Sequence, residues 1–189
     1  MFRSARRLKK LDTSNGFPLE DQILIIRDGM LRQMAFAREY TLGLIQEVPE
    51  DLWGVPPPGL ATHFAWQVGH LAMAQYGLML FRMRGRAEGD VAPMPGWLRK
   101  RYARGSQPTL ESSENPSKVE LLESLDRIHQ EAMSFVAQLP ADLLREPTEM
   151  PYAGYPIKLG ALLFCPLHES IHSGQIGLLR RAHGLPPIR

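Results

Sequence analysis

Two histidines four residues apart, His168 and His172, carry the strongest chemical signal in this 189-residue chain. They lie in the run His168-Glu169-Ser170-Ile171-His172-Ser173-Gly174-Gln175-Ile176. On an α-helix, residues four apart differ by about 40° around the axis and one turn along it, so both imidazoles point the same way and can chelate one ion. Their face continues through Ala161, Phe164, Gln175 and Leu179, which is apolar apart from Gln175 and turns the pair toward a core. Two histidines buried together without partners are costly, and either a metal or a compact hydrogen-bond network removes that cost. The same five residues match H-E-x-x-H, the zinc-protease pattern in which the glutamate is the general base. Such proteases need a third ligand downstream. Here Gln175 stands at the glycine position of the longer motif and Leu178 at its third-histidine position, no acidic residue follows Glu169, and His183 is the sole downstream histidine. A metalloprotease is therefore the disfavoured reading. Glu169, about 100° from His168 around the helix, is expected beside the site or at the surface before it is expected as a base. Gln175, one turn beyond His172, is expected to orient a ligand or a histidine.

The third ligand is better sought upstream. Trp66-Gln67-Val68-Gly69-His70-Leu71 places a histidine within a second helical pattern, with Trp66, His70, Met73, Ala74 and Gly77 on one face and small residues that admit a close neighbour. His70 with His168 and His172 makes three neutral nitrogen donors from two helices and leaves at least one coordination position open. The other histidines, His63, His129 and His183, are expected at helix ends or on the borders of packed faces. Cys165 is the single cysteine, which forbids an internal disulfide or a cysteine cage. It reads first as a small core residue, and second as a redox group or fourth ligand one turn before His168.

Helical periodicity dominates the rest of the chain, without convincing strand alternation. The first helix is expected over about Leu19–Val48, with Ile23, Ile26, Met30, Met34, Ala37, Thr41 and Leu44 inward and Pro49 ending it. The second runs from about Thr62, a candidate N-cap, to Met83, with Gly85 as the stop. The third opens with Asn115 as a cap, Pro116 in the first turn and Ser117 with Glu120 at capping-box spacing, and stops at Pro140. The fourth covers about Lys158–Ala182, with Pro166 either kinking or restarting it. Val48-Pro49-Glu50-Asp51-Leu52 echoes Leu139-Pro140-Ala141-Asp142-Leu143, each after a long helix, which suggests two hairpins. Between them lies a connection of about Gly85–Glu114, long enough to be functional or disordered. Trp97, Leu98 and Tyr102 are expected to anchor it, with Arg99, Lys100, Arg101 and Arg104 facing water or an anionic ligand.

With 44% apolar and 22% charged residues, the composition is that of one ordinary domain, residues 17–189. Residues 1–16 form a basic tail, expected to be disordered: Arg3, Arg6, Arg7, Lys9 and Lys10 face only Asp12, so the net charge of +2 resides there and the body is slightly acidic. A near-neutral body argues against nucleic-acid binding. No secretory signal or membrane-length apolar run is visible, so no membrane partner and a cytoplasmic location are the default expectation.

The paired motifs, Trp66-Gln67-Val68-Gly69-His70-Leu71 and His168-Glu169-Ser170-Ile171-His172-Ser173-Gly174-Gln175-Ile176, followed by Leu179-Arg180-Arg181 and Gly184, resemble the DinB/YfiT-like superfamily. That resemblance implies an all-α, antiparallel four-helix bundle with a long connection between helices 2 and 3. It implies a divalent zinc, nickel or iron ion on His70, His168 and His172. It also implies a homodimer, and for some members transfer to low-molecular-weight thiols, which would serve as cosubstrates. The leading expectation is a metal-dependent enzyme activating a thiol or a water toward a small-molecule substrate, with Trp66 and Trp97 as candidate substrate contacts. The competing expectation is a non-catalytic, metal-binding dimeric bundle serving as a stress-linked binding protein.

Overall fold

The structure is a computed structural model that describes residues 20–111 and 114–188. The basic tail expected over residues 1–16 lies outside the described residues. Helix α1 (Glu20–Gln46) opens with Glu20 and Asp21, acidic side chains that suit the positive end of a helix dipole. It buries Ile23, Met30, Met34, Ala37, Thr41 and Leu44 at the three- and four-residue spacing of one face. Helix α2 (Phe64–Gln75) continues through a π-helical turn, Tyr76–Phe81, and a last α-turn, Arg82–Arg84, to Gly85, whose φ of 75° ends it. Its N-cap is His63 rather than Thr62: the His63 Nδ1 accepts from the Trp66 N–H at 3.2 Å, while the Thr62 hydroxyl is engaged by the Gln67 amide.

The long connection is not structureless. It contains a 3-10 turn, Glu88–Val91, and helix α3 (Gly96–Tyr102), whose Leu98 and Tyr102 are buried while Trp97 is exposed, so Trp97 does not anchor it. Helix α4 (Lys118–Val136) starts two residues beyond Pro116, because Ser117 and Glu120 close the capping box, whereas the Asn115 amide donates to the Thr109 and Glu111 carbonyls. The echoed Pro segments form matching local structure: a 3-10 turn, Glu50–Leu52, follows Pro49, and helix α5 (Ala141–Arg145) follows Pro140.

Strands β1 (Pro147–Tyr152) and β2 (Tyr155–Ile157) form an antiparallel hairpin that the sequence reading did not anticipate. Its two-residue turn has positive φ at both Ala153 (46°) and Gly154 (82°), the twist-matched geometry for a tight hairpin. The hairpin rests on the start of helix α6 (Lys158–Ala182), where a Cβ on Gly160 would strike the carbonyl oxygens of Tyr152 and Tyr155. Pro166 lies inside α6 without restarting it. It leaves the Leu162 carbonyl without its helical donor, a cost the surrounding packing absorbs.

The cross-links set the helix directions. Arg38–Glu169, Thr41–Ser173 and Arg180 to the Leu44 carbonyl advance along α1 and α6 together, so the first and last helices are parallel neighbours. His70 meets His168 and Gln67 meets His172, so α2 opposes α6. Each hairpin, α1 with α2 and α4 with α6, is thus antiparallel, and the long connection crosses the bundle so that α4 starts beside the start of α2, where Lys118 lies over the Trp53 ring. The core runs through the bundle as Met30, Met34, Phe64, Leu71, Leu125, Ile128, Leu162 and Ile176 among others. No helix among the described residues is long and apolar enough to cross a membrane.

Candidate metal centre

His70 sits mid-α2, and His168 and His172 sit one turn apart on α6, so antiparallel packing of the two helices brings the three rings together. One ligand nitrogen from each lies within 4.8 Å of the others, and the His70 and His168 Nε2 atoms are 3.4 Å apart. Two nitrogens bound to one zinc at about 2.0–2.1 Å in tetrahedral geometry stand about 3.3–3.4 Å apart, so the His70–His168 spacing fits such an ion.

Neighbours orient the rings. The His70 Nδ1 donates to the Tyr102 carbonyl at 2.9 Å, which leaves the Nε2 lone pair facing the cluster. The His172 Nδ1 donates to the Gln67 Oε1 at 2.6 Å, and the Gln67 amide N–H₂ is in turn held by the Thr62 hydroxyl at 3.0 Å, which keeps the oxygen toward the ring. Trp66 stacks on His70 with centroids 4.8 Å apart and planes within 4°. Phe164, one turn before His168, tilts against it at 5.7 Å. The Tyr102 carbonyl reaches His70 because residue 69 is glycine: a Cβ there would meet the Tyr102 ring at 2.5 Å.

Burial disfavours the charged form of each ring, and the rings disfavour charge in one another. His168 is held down to about 4 and His172 to about 3, and His70 also falls below its ordinary value. At neutral pH the cluster is three neutral imidazoles, a nitrogen donor set suited to zinc, nickel or iron and poorly suited to magnesium or calcium.

The remaining expected site residues fall elsewhere. Glu169 is neither at the surface nor beside the triad. It is buried on the α1 side of α6, where its carboxylate takes the Arg38 guanidinium at 2.7 and 3.1 Å. That placement deprives an H-E-x-x-H protease of its base. Gln175 is exposed, and the orienting amide is Gln67, three residues before His70. Cys165 is buried, its thiol pushed up by burial and by the Glu169 charge, and it is not part of the cluster. His63 caps α2, His183 ends α6, and His129 borders the Arg38 network through Gln75.

His70 and His168 also form part of the wall of a cavity of about 680 Å³. Met73 and Ala74, the π-helical turn of α2 with Arg82 and Arg86 after it, Met94, α3 and the turn after it, the β-hairpin tip and Phe164 supply the rest of that wall. Neither Trp66 nor Trp97 lines it. The profile of the DinB superfamily matches residues 33–176, well over half of the chain and a span that includes all three histidines. The chain belongs to the DinB superfamily. No curated protein matches it. Membership accords with the helical architecture, and the buried triad accords with a metal-binding DinB protein. Of the residues that build this DinB site, Gln67 and Tyr102 escaped the sequence reading as histidine partners. The signal for Gln67 was present, because it lies within the same Trp66–Leu71 motif. The Tyr102 contact is a backbone carbonyl and has no side-chain signature.

Proposed function

We propose that this protein is a metal-dependent enzyme in which a divalent ion held by His70, His168 and His172 activates a thiol or a water toward a small substrate. A low-molecular-weight-thiol S-transferase is the specific form we put forward. The observation that carries this reading is the setting of the His70 and His172 tautomers by the Tyr102 carbonyl and Gln67, which leaves each ring an Nε2 acceptor within a cluster whose ligand atoms lie within 4.8 Å of one another. A bound ion would lower the pKa of a thiol or water there, with its full positive charge unneutralised by the imidazole ligands. The chain's own part is positional. Tyr102 and Gln67 hold two rings, Trp66 restrains His70, and Met73 and Phe164 give the cavity an apolar side. That cavity, open to the triad, is what favours an enzyme over a non-catalytic bundle.

The test is metal analysis of wild type with His70→Ala and His172→Ala, followed by a turnover screen with low-molecular-weight thiols. An enzyme retains its fold in both variants and loses metal and turnover. Stoichiometric metal without turnover, together with a large drop in melting temperature on chelation, would favour the structural reading instead. Retention of metal by both variants would refute the triad.

A homodimer is part of the same proposal. It is supported by Ile25, Phe36 and Tyr40, exposed along one stripe of α1 with Gly29 and Gly43 between and after them. Light scattering of wild type and Phe36→Glu tests it, a monomeric wild type counting against it.

A further inference from the structure

The cavity over the triad has an uneven charge. Arg82, Arg86, Arg99 and Arg104 line it, and no aspartate or glutamate does. These arginines are not equivalent. Arg82 is committed to the fold: it donates to the Gly77 carbonyl at 2.8 Å and to the Tyr152 hydroxyl at 2.5 Å, and lies over the Tyr152 ring. Arg84, which does not line the cavity, is neutralised by Asp90 and Glu131 at 2.7 Å each. The side chains of Arg86, Arg99 and Arg104 are exposed and make no hydrogen bond or ion pair with any described residue. They come from three separate places, the residue after Gly85, helix α3 and the turn after it, yet the fold brings all three to one cavity.

The basic run Arg99-Lys100-Arg101-Arg104 is thereby divided. Arg101 is spent on the Glu114 carbonyl and Lys100 does not line the cavity, whereas Arg99 and Arg104 do. Guanidiniums without a partner among the described residues, on the wall of one cavity, make a receptor for a planar or tetrahedral oxyanion, since each offers a fork of donors matched to carboxylate or phosphate. Met73, Met150 and Phe164 supply an apolar surface in the same cavity, with His70 and His168 in its wall.

We infer that the substrate of this site is a small organic anion. Its carboxylate or phosphate group is held by Arg86, Arg99 and Arg104, and its apolar body lies against Met73, Met150 and Phe164 with the reacting end toward the triad. The last clause rests on the metal-enzyme reading above, while the anion preference rests on the arginines alone.

Ligand-observed NMR titrations of the zinc-loaded full chain test this with four probes of one size: phenylacetate, phenyl phosphate, 2-phenylethanol and 2-phenylethylamine. One or both anions should bind at least ~10-fold tighter than the alcohol and the amine, and whichever anion wins identifies the oxyanion. In R86A/R99A/R104A, checked for native melting temperature and full zinc content, that preference should fall at least ~10-fold. Each single variant should lose roughly 3-fold. A wild type that binds alcohol and anions equally overturns the inference, as does an anion preference that survives in the triple variant, which would place the anion on the metal. The same titration on His172→Ala separates the two readings. Anion preference persisting without metal upholds the arginine site even if the metal-enzyme reading fails, and loss of preference in zinc-loaded protein sinks the inference alone.

Discussion

The two sides of α6 around His168–His172 use the same side-chain chemistry to opposite ends. On the α2 side, three histidines face one another, and the partners of His70 and His172 take up their Nδ1 protons and leave each an Nε2 acceptor. On the α1 side, Arg38 and Glu169 are more deeply buried and leave little unspent. The guanidinium takes both carboxylate oxygens, the Leu125 carbonyl at 3.2 Å and the Gln75 Oε1 at 2.9 Å, and the Gln75 amide N–H₂ then donates to His129 at 3.0 Å. A buried polar cluster whose members satisfy one another specifies packing; one in which His70 and His172 spend their Nδ1 protons outward and keep an Nε2 acceptor each is suited to receive something. The glutamate of the H-E-x-x-H pattern belongs to the first kind and its histidines to the second.

Five measurements would break or sharpen that contrast. The largest effect is expected from His172→Ala, which should abolish stoichiometric metal in elemental analysis while leaving the helical circular dichroism unchanged. Next, Glu169→Gln should cost about 3–5 kcal/mol in urea denaturation, because it strands the Arg38 charge in the core, yet leave the metal content of the folded protein at wild-type level. Lost turnover with unchanged stability in that variant would return Glu169 to the role of base. Gln67→Leu should weaken metal about 10–100-fold by competition titration, since it frees the His172 ring without removing it. Gly69→Ala should cost about 1–3 kcal/mol in thermal or denaturant unfolding, because the new methyl displaces Tyr102, and should loosen metal through His70.

The smallest effect is a pH slope. His129 is held down to about 4 by burial and by Arg38, and the triad is also depressed. The unfolded chain therefore takes up protons first, and the metal-free protein should lose stability as pH falls from about 6.5 through about 4. Denaturation of metal-free protein across that range should show a shallower slope in His129→Gln, and an identical slope would mean that His129 is protonated in the fold.

Much of this architecture was legible locally. The Ser117–Glu120 capping box, the Pro49 and Pro140 stops, the apolar face of α1 and the one-turn spacing of His168 and His172 all depend on residues within a few positions of one another. The hairpin shows no strand alternation in the sequence: Pro147, Pro151 and Pro156 interrupt its strands, and Ala153, whose positive φ builds the turn, carries no glycine-like signature. Thr62 and Asn115 were chosen as caps by residue type. In the fold Thr62 serves Gln67 and Asn115 serves two loop carbonyls, so His63 and Ser117 do the capping. Of the three expected anchors Trp97, Leu98 and Tyr102, the short helix that carries them turns only Leu98 and Tyr102 inward.

By itself the sequence determined the helices and the identity of the three converging histidines, because helical geometry makes the direction of a side chain a function of its position along the chain. Tertiary structure alone decided which neighbour each group meets. Glu169 turned to Arg38, Gln67 rather than Gln175 reached His172, and a backbone carbonyl of the connection reached His70. Those choices depend on helix directions, on the crossing connection and on the space left by a missing Cβ at Gly69, none of which has a local period in the chain.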